Sequence, residues 1–367
     1  MTDNELLDIL ALMRVDGIGD IVAKKLISHL GTAGNVLKAT KKQLTAIEGV
    51  GEILYNKIQA SNTYAQAEAE IKFIKSNNIT PLYFLEEDYP EKLKHCVDGP
   101  VLLFSSGAIN LKHKKIISIV GTRQMTAYGA DFCRQLLEGL VPLDPVVVSG
   151  FAYGVDIHAH IIAMELGLQT IGVVAHGLNQ IYPKVHKKYA AKMEENGGFF
   201  TEFWSTANPD KENFVRRNRI VAGLAEATVI VESAEKGGSL ITANIANDYN
   251  RDVFALPGRV TDKYSMGCNN LIKTQKAHLL TSAADLVYML NWQPEDKKPK
   301  PVQKQLFIEL EPEEQAVYDY LLKNGKQQMD IIALECTMPI HKLSSLLLTM
   351  ELKGAIRPLP GKLFEAV

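Results

Sequence analysis

Four stretches of this chain gather residue types that bind phosphate. In "VGTRQMTAYG" (120–129), Gly121 permits a tight turn, Thr122 can cap the helix that follows, and Arg123 offers a planar fork matching a phosphate. In "SGFAYGVDIHAH" (149–160), Gly150 and Gly154 let backbone approach a ligand, and Asp156 is placed to cap or orient. "ENFVRRNRIVAGL" (212–224) crowds Arg216, Arg217 and Arg219 beside Phe214, giving charge for phosphate and a ring for stacking. "VESAEKGGSLITA" (231–243) sets Lys236, Gly237, Gly238 and Ser239 ahead of a helix, so N–H groups, a hydroxyl and an ammonium converge.

The residues needed for turnover are less organised. There is no GxxxxGK[ST], no clean GxGxxG and no GxSxG. His158 and His160 lie two apart, the wrong spacing for one helix face, so no metal is expected. Asp156 and His160 can pair at i, i+4, with a structural cap and a core histidine as the better reading. Glu202 and Glu232 fall near strand ends as acid–base candidates, but spacing gives neither a partner. His176 and His186 carry no specific signal. The pattern reads as anion binding with no cofactor.

These stretches need a scaffold that brings them to one edge. From about residue 115, apolar runs bounded by glycine turns ("KIISIVG", "PVVVSG", "TIGVVAHG", "ATVIVES", "DVFALPG") alternate with helical stretches. Such alternation means a parallel sheet covered on both faces, with ligands held beyond the C-terminal strand ends. The expected fold class is α/β: a Rossmann-like parallel-sheet domain flanked by an N-terminal helix-hairpin-helix (SAM-like) domain and a C-terminal winged-helix domain. The expected boundaries are 1–66 for the helical domain, 67–290 for the extended sheet domain, 291–302 for a proline-rich charged linker and 303–367 for the winged helix.

The helical domain shows a weak repeat. "VDGIGDIVAKKLI" from Val15 and "IEGVGEILYNKI" from Ile47 both set an h-x-G-h-G turn before an amphipathic run. That unit either grips DNA phosphates or only packs. Residues 303–367 read as three helices and a hairpin with net charge −2, which leaves protein contact at least as good a reading as DNA contact.

Composition bounds the rest. Of 367 residues, 46% are hydrophobic and 22% charged, with net charge −2, so any nucleic-acid role must come from local clustering. The four cysteines are far apart, which argues against a disulfide framework or a zinc site. No apolar run reaches membrane-spanning length and the first residues do not read as a signal peptide, so a cytoplasmic location without membrane contact is expected.

Taken together, "GTRQMTAYG", "SGFAYGVDIHAH", "NFVRRNRIVAGLAEATVIVESAEKGGSLITA", "FALPG" and "GCNNLI" make the sequence similar to the DNA-processing protein A family (DprA/Smf). The resemblance spans the sheet domain almost continuously. It implies a non-enzymatic single-stranded DNA binder that protects incoming strands during natural transformation and loads the RecA recombinase. It also implies a homodimer through the sheet domain. Carried onto this chain, Arg123 grips a phosphate with Gly121 and Thr122 in its turn, and Ser149 and Gly150 line the same pocket. Phe214 stacks on a base, Arg217 and Asn218 hold the strand beside it, Lys236 adds a phosphate contact with Gly238 and Ser239, and Asn269 lies nearby. Val215 stands where the family has proline, "TEFW" (201–204) replaces an "SEYP"-like segment, His186 replaces an asparagine, and Gln275 and Lys276 alter an "LIxxGA" ending. The alternative is a phosphoribohydrolase-like nucleotide enzyme with Glu202 or Glu232 as acid, although "EKGGSLITA" only partly matches the loop such enzymes carry.

Overall fold

A computed structural model describes residues 1–293, 310–359 and 363–366. The expected linker lies outside the described residues from 294 onward. The chain divides into two compact units, 1–295 and 296–367.

The first unit is built on one nine-stranded sheet. Its strands are β1 (Thr80–Tyr83), β2 (Leu102–Gly107), β3 (Ile116–Val120), β4 (Val146–Ser149), β5 (Thr170–Val173), β6 (Gly197–Thr201), β7 (Ala227–Ile230), β8 (Asp252–Ala255) and β9 (His278–Leu279). They lie in the order β1-β2-β6-β5-β4-β3-β7-β8-β9. From β6 to β9 every pairing is parallel, while β1 and β2 add an antiparallel edge. β3 through β7 are buried along their whole length, as strands covered on both faces must be.

Alternate side chains feed opposite faces. Ile116, Val120, Val146 and Val148 join one core with Ile220 and Val221 of helix Lys211–Leu224. Ile117, Ile119 and Val147 join another with Phe132 and Leu136 of helix Ala127–Leu140. Each fully buried aliphatic or aromatic side chain of these cores contributes roughly 1.5–3 kcal/mol. The chain runs outward from β3 through β4, β5 and β6, then crosses back to β7 on the other side of β3. This is the reversal at which open α/β sheets leave a ligand crevice.

The helical repeat is present. Helix Asp20–Leu30 follows a turn with Gly17 at φ 88°, and helix Glu52–Ala60 follows the matching turn with Gly49 at φ 78°. Only glycine adopts such φ values without strain. Leu10, Leu12, Leu26, Leu44 and Ile58 fill the core of this unit, which continues into Val101, Leu102 and Phe104 at the sheet edge. The first hairpin is fastened to the sheet: Asp20 Oδ1 accepts from the Val101 amide at 2.9 Å, and its Oδ2 takes Arg219 at 3.1 Å and Arg216 at 3.2 Å. These bonds tie the start of the helix to the sheet through its first side chain.

The second unit contains helices Pro312–Asn324, Met329–Glu335 and Ile340–Leu352 and a small sheet of β10 (Gln327–Gln328), β11 (Ile356–Leu359) and β12 (Leu363–Ala366) in the order β10-β12-β11. This is the winged-helix arrangement, closed by Val317, Leu321, Leu343, Leu347 and Met350. Among the described residues no single helix is long and apolar enough to cross a membrane.

Candidate nucleic-acid interface

Arg123 stands in the loop after β3. Glu232, buried at the end of β7, clamps that loop: its backbone carbonyl accepts the Thr122 amide at 2.7 Å, and its carboxylate takes the Thr126 amide at 2.8 Å and hydroxyl at 2.5 Å. The helix begins at Ala127 with Thr126 as its cap, so the capping expected of Thr122 falls four residues later, and the Thr122 hydroxyl instead accepts the Gln124 amide at 3.1 Å. Gly121 and Gly154 are dictated by close approach. A Cβ on Gly121 would lie 2.5 Å from Val155 Cγ2. Gly154, at φ 76°, would drive one to 2.6 Å from the Arg123 carbonyl carbon.

The result is an exposed Arg123 with no hydrogen bond or ion pair among the described residues. Its guanidinium carbon lies 5.6 Å from the centre of the Phe214 ring. Phe214 is half-buried and meets Tyr182 edge-on with centroids 5.9 Å apart. Gly150, Tyr153 and His176 line this mouth together with Arg123, Phe214 and Tyr182. An exposed cation beside edge-on, partly exposed rings can hold a phosphate and an adjoining base.

The third expected loop is a helix. Lys211–Leu224 is regular, so the side chains of "NFVRRNR" diverge around it instead of crowding one loop. Phe214 turns to the mouth. Arg217 turns inward: it is 4% exposed, with Nη1 donating to Gly150 O at 2.6 Å and also to Val173 O. Burial pushes its pKa down to about 10 and that of the neighbouring Asp156 carboxyl upward, each opposed by the other's charge. Arg217 thus supports Phe214 from behind, 5.9 Å from the ring centre, and Asn218 Oδ1 accepts its Nε–H at 3.3 Å. Arg216 and Arg219 turn the other way and each places Nη2 2.6 Å from Glu202 Oε2.

Ser149 is fully buried and donates to Ile119 O at 2.6 Å, so it lies behind the mouth. Lys236 is exposed without a bond among the described residues, on the loop after β7 next to β3. Gly238 beside it faces open space, while Ser239 is buried and donates to Ser233 Oγ at 2.9 Å. Asn269 exchanges two hydrogen bonds with the Gly258 backbone at 2.9 and 3.2 Å and fixes the "ALPG" turn. None of these five lines the Arg123 mouth.

His160 pairs with Thr170 Oγ1 at 2.7 Å rather than with Asp156, and burial pushes its pKa down to about 3. His176 is also held neutral by burial and accepts the Tyr182 amide at 3.2 Å. Among the described residues no three His, Cys, Asp or Glu side chains could hold a metal ion together. Sequence reasoning missed Tyr153, Tyr182, Lys184 and Lys211, all exposed near the mouth or on the flanking segments. The signal was present: aromatic residues interleaved with glycine, proline and lysine in "FAYG" and "IYPK".

A family model described as DNA recombination-mediator protein A matches residues 80–291, and a DprA winged-helix model matches 299–362. Protein Smf of Escherichia coli is 33% identical over 325 residues, 83% of this chain and 84% of that one. DNA processing protein DprA of Streptococcus pneumoniae is 37% identical over 203 residues, 55% of this chain and 71% of that one. The crystal structure of that pneumococcal protein aligns with TM-score 0.66 at 28% identity, over 78% of this chain and 98% of that one. DNA processing protein A of Helicobacter pylori, solved for its single-stranded DNA binding mode, aligns with TM-score 0.53 at 28% identity, over 59% and 97%.

Proposed function

This chain belongs to the DNA recombination-mediator protein A (DprA/Smf) family, and from that premise we propose that it holds single-stranded DNA at the Arg123–Phe214 mouth without chemical turnover. In this reading it protects incoming strands in the cytoplasm during natural transformation and loads the RecA recombinase onto them, acting as a homodimer through the sheet domain. One observation carries the binding step: an exposed arginine with no acidic partner among the described residues lies 5.6 Å from the centre of a half-buried ring where a parallel sheet leaves its ligand crevice. Phosphate neutralisation and stacking on such a pair accept any sequence and weaken steeply with salt.

The enzyme reading retains one supporting feature. Burial lifts the Glu202 carboxyl to about 7, within reach of general-acid work, against the pull of Arg219 and Arg216. Yet Glu202 Oε2 is shared by those two guanidiniums on the side of the helix away from Phe214, and Glu232 is committed to Thr126.

Oligonucleotide binding by the wild type and by Arg123→Ala with Lys236→Ala, at two salt concentrations, tests the proposal beside a nucleoside-monophosphate hydrolysis assay. The expected result is a large loss of affinity with a shallower salt dependence and no base release. Unchanged binding in the double variant, or clear hydrolysis by the wild type, overturns it.

A further inference from the structure

On the far side of helix Lys211–Leu224 from Phe214 lies a second cleft of about 410 Å³, large enough for a small organic ligand, for which pockets run roughly 300–1,000 Å³. Leu102, Phe104 and Phe203 give it an apolar wall, and Trp204 a broad aromatic one. The Arg14 guanidinium lies 4.7 Å over the Trp204 ring and is anchored by Gln66 Oε1 at 3.1 Å. The segment carrying Trp204 is itself pinned, because the amide and hydroxyl of Ser205 both bond the buried Glu70 carboxylate, at 2.8 and 2.6 Å. The Trp204–Arg14 pair is thus a preorganised aromatic and guanidinium wall of the cleft.

The rim has hydrogen-bonding capacity left over. Asn213 donates to Asn208 O at 2.9 Å, but its own carbonyl, the Asn208 amide and the Thr206 hydroxyl have no partner among the described residues. Arg216 is half-exposed, lies 5.6 Å from the Phe203 ring centre, and among the described residues bonds carboxylates through Nη2 alone. Glu202 Oε1, in the same lining, is buried without a hydrogen-bond partner among the described residues. The charges balance: Arg14 and Arg216 in the lining and Arg219 behind it face Asp20, Glu202 and Asp210. A balanced set with aromatic and guanidinium faces suits a neutral planar ring with donor and acceptor edges better than it suits a phosphate.

We propose that this cleft takes an unstacked nucleobase from the same strand that passes Arg123 and Phe214. Asn213 and Arg216 sit on the helix turn that also carries Phe214, so the strand need only cross one helix, about 10–12 Å in diameter with its side chains, over the exposed Lys211. The inference rests on the single-strand reading of the mouth, and the two fail separately.

The test is binding of oligothymidylates of increasing length to the full chain, followed by affinity and tryptophan emission. Trp204→Ala weakens the long strands roughly 5- to 150-fold, the range for one stacked base, and leaves the shortest strand that binds unchanged. Wild-type Trp204 emission is quenched by long strands, and Trp204→Phe keeps long-strand affinity while removing that quenching, as the expected outcome. Asn208→Ala, on the rim away from any core, reproduces a smaller loss with the same length dependence. If Trp204→Ala and Asn208→Ala bind long strands as the wild type does while Arg123→Ala does not, the cleft inference falls and the mouth stands. If thymidine monophosphate quenches Trp204 fully while strand affinity ignores the substitution, the cleft serves a free nucleotide and the strand path is overturned.

Discussion

Arg123 and Arg219 lie on adjoining parts of one sheet domain and differ in company. Arg123 is exposed, touches a ring and meets no carboxylate among the described residues. Arg219 is buried between Asp20 and Glu202 at 3.1 and 2.6 Å and also donates to Asp98 O, so it ties the first helical hairpin to the sheet. The same contrast separates the glycine turns. The turn at Gly121 leaves its arginine without a carboxylate among the described residues, whereas the one at Gly19 leads into Asp20, whose carboxylate takes the Val101 amide and two guanidiniums. A guanidinium or a helix start is a phosphate site only where the fold has withheld its counter-charge.

The sharpest way to break the comparison is to remove the paired arginine. Arg219→Met leaves Asp20 and Glu202 buried with Arg216 alone, and a buried charge stripped of its partner costs about 3–5 kcal/mol. Urea unfolding should register that loss, while Arg123→Ala should stay within about 0.5 kcal/mol of wild type. Equal stability of the two variants would mean that the quartet behaves as a solvated surface cluster. The buried side of the mouth adds a pH test. His160 stays neutral when folded down to about pH 3 but takes a proton near 6.5 when unfolded. Protons then favour the unfolded chain between those values, so stability falls with decreasing pH, by about 2 kcal/mol from pH 7 to pH 5 for this group. His160→Gln should flatten the urea midpoint against pH by that amount; an unchanged slope would show that His160 is protonated in the fold.

How much of this the sequence carried depends on what each residue needed. The sheet was legible because runs such as "IISIV" and "VVVS" must be buried on both faces, and the repeat because Gly17 and Gly49 occupy positive φ. Arg123, Lys236 and Phe214 were read as phosphate and base contacts, and the structure leaves both cations exposed and the ring half-buried. Arg217, Ser149 and Asn269 were not legible in their orientation. Residue type says that a side chain can donate, but only the helix through 211–224 and the packing at β4 show that the acceptors are Gly150, Ile119 and Gly258. Glu232 was read as a catalytic candidate because its partner, Thr126, lies 106 residues away.

The smaller effects test the open end of the comparison. Arg123→Ala should weaken single-strand binding by about 1–3 kcal/mol, the range of a charge-assisted hydrogen bond or a stacked base, with no change in fold. It should also lower the slope of log affinity against log salt by about one ion. Lys236→Ala should do less. Its ammonium is exposed on a neighbouring loop and does not line the mouth, so its phosphate contact resembles a solvated ion pair worth about 0.2–1 kcal/mol. The two losses should add, because the residues share no partner. A loss for Lys236→Ala as large as for Arg123→Ala would move the centre of the strand from the Phe214 ring to the helix start at Gly238. A salt slope unchanged in both would mean that neither cation meets a phosphate.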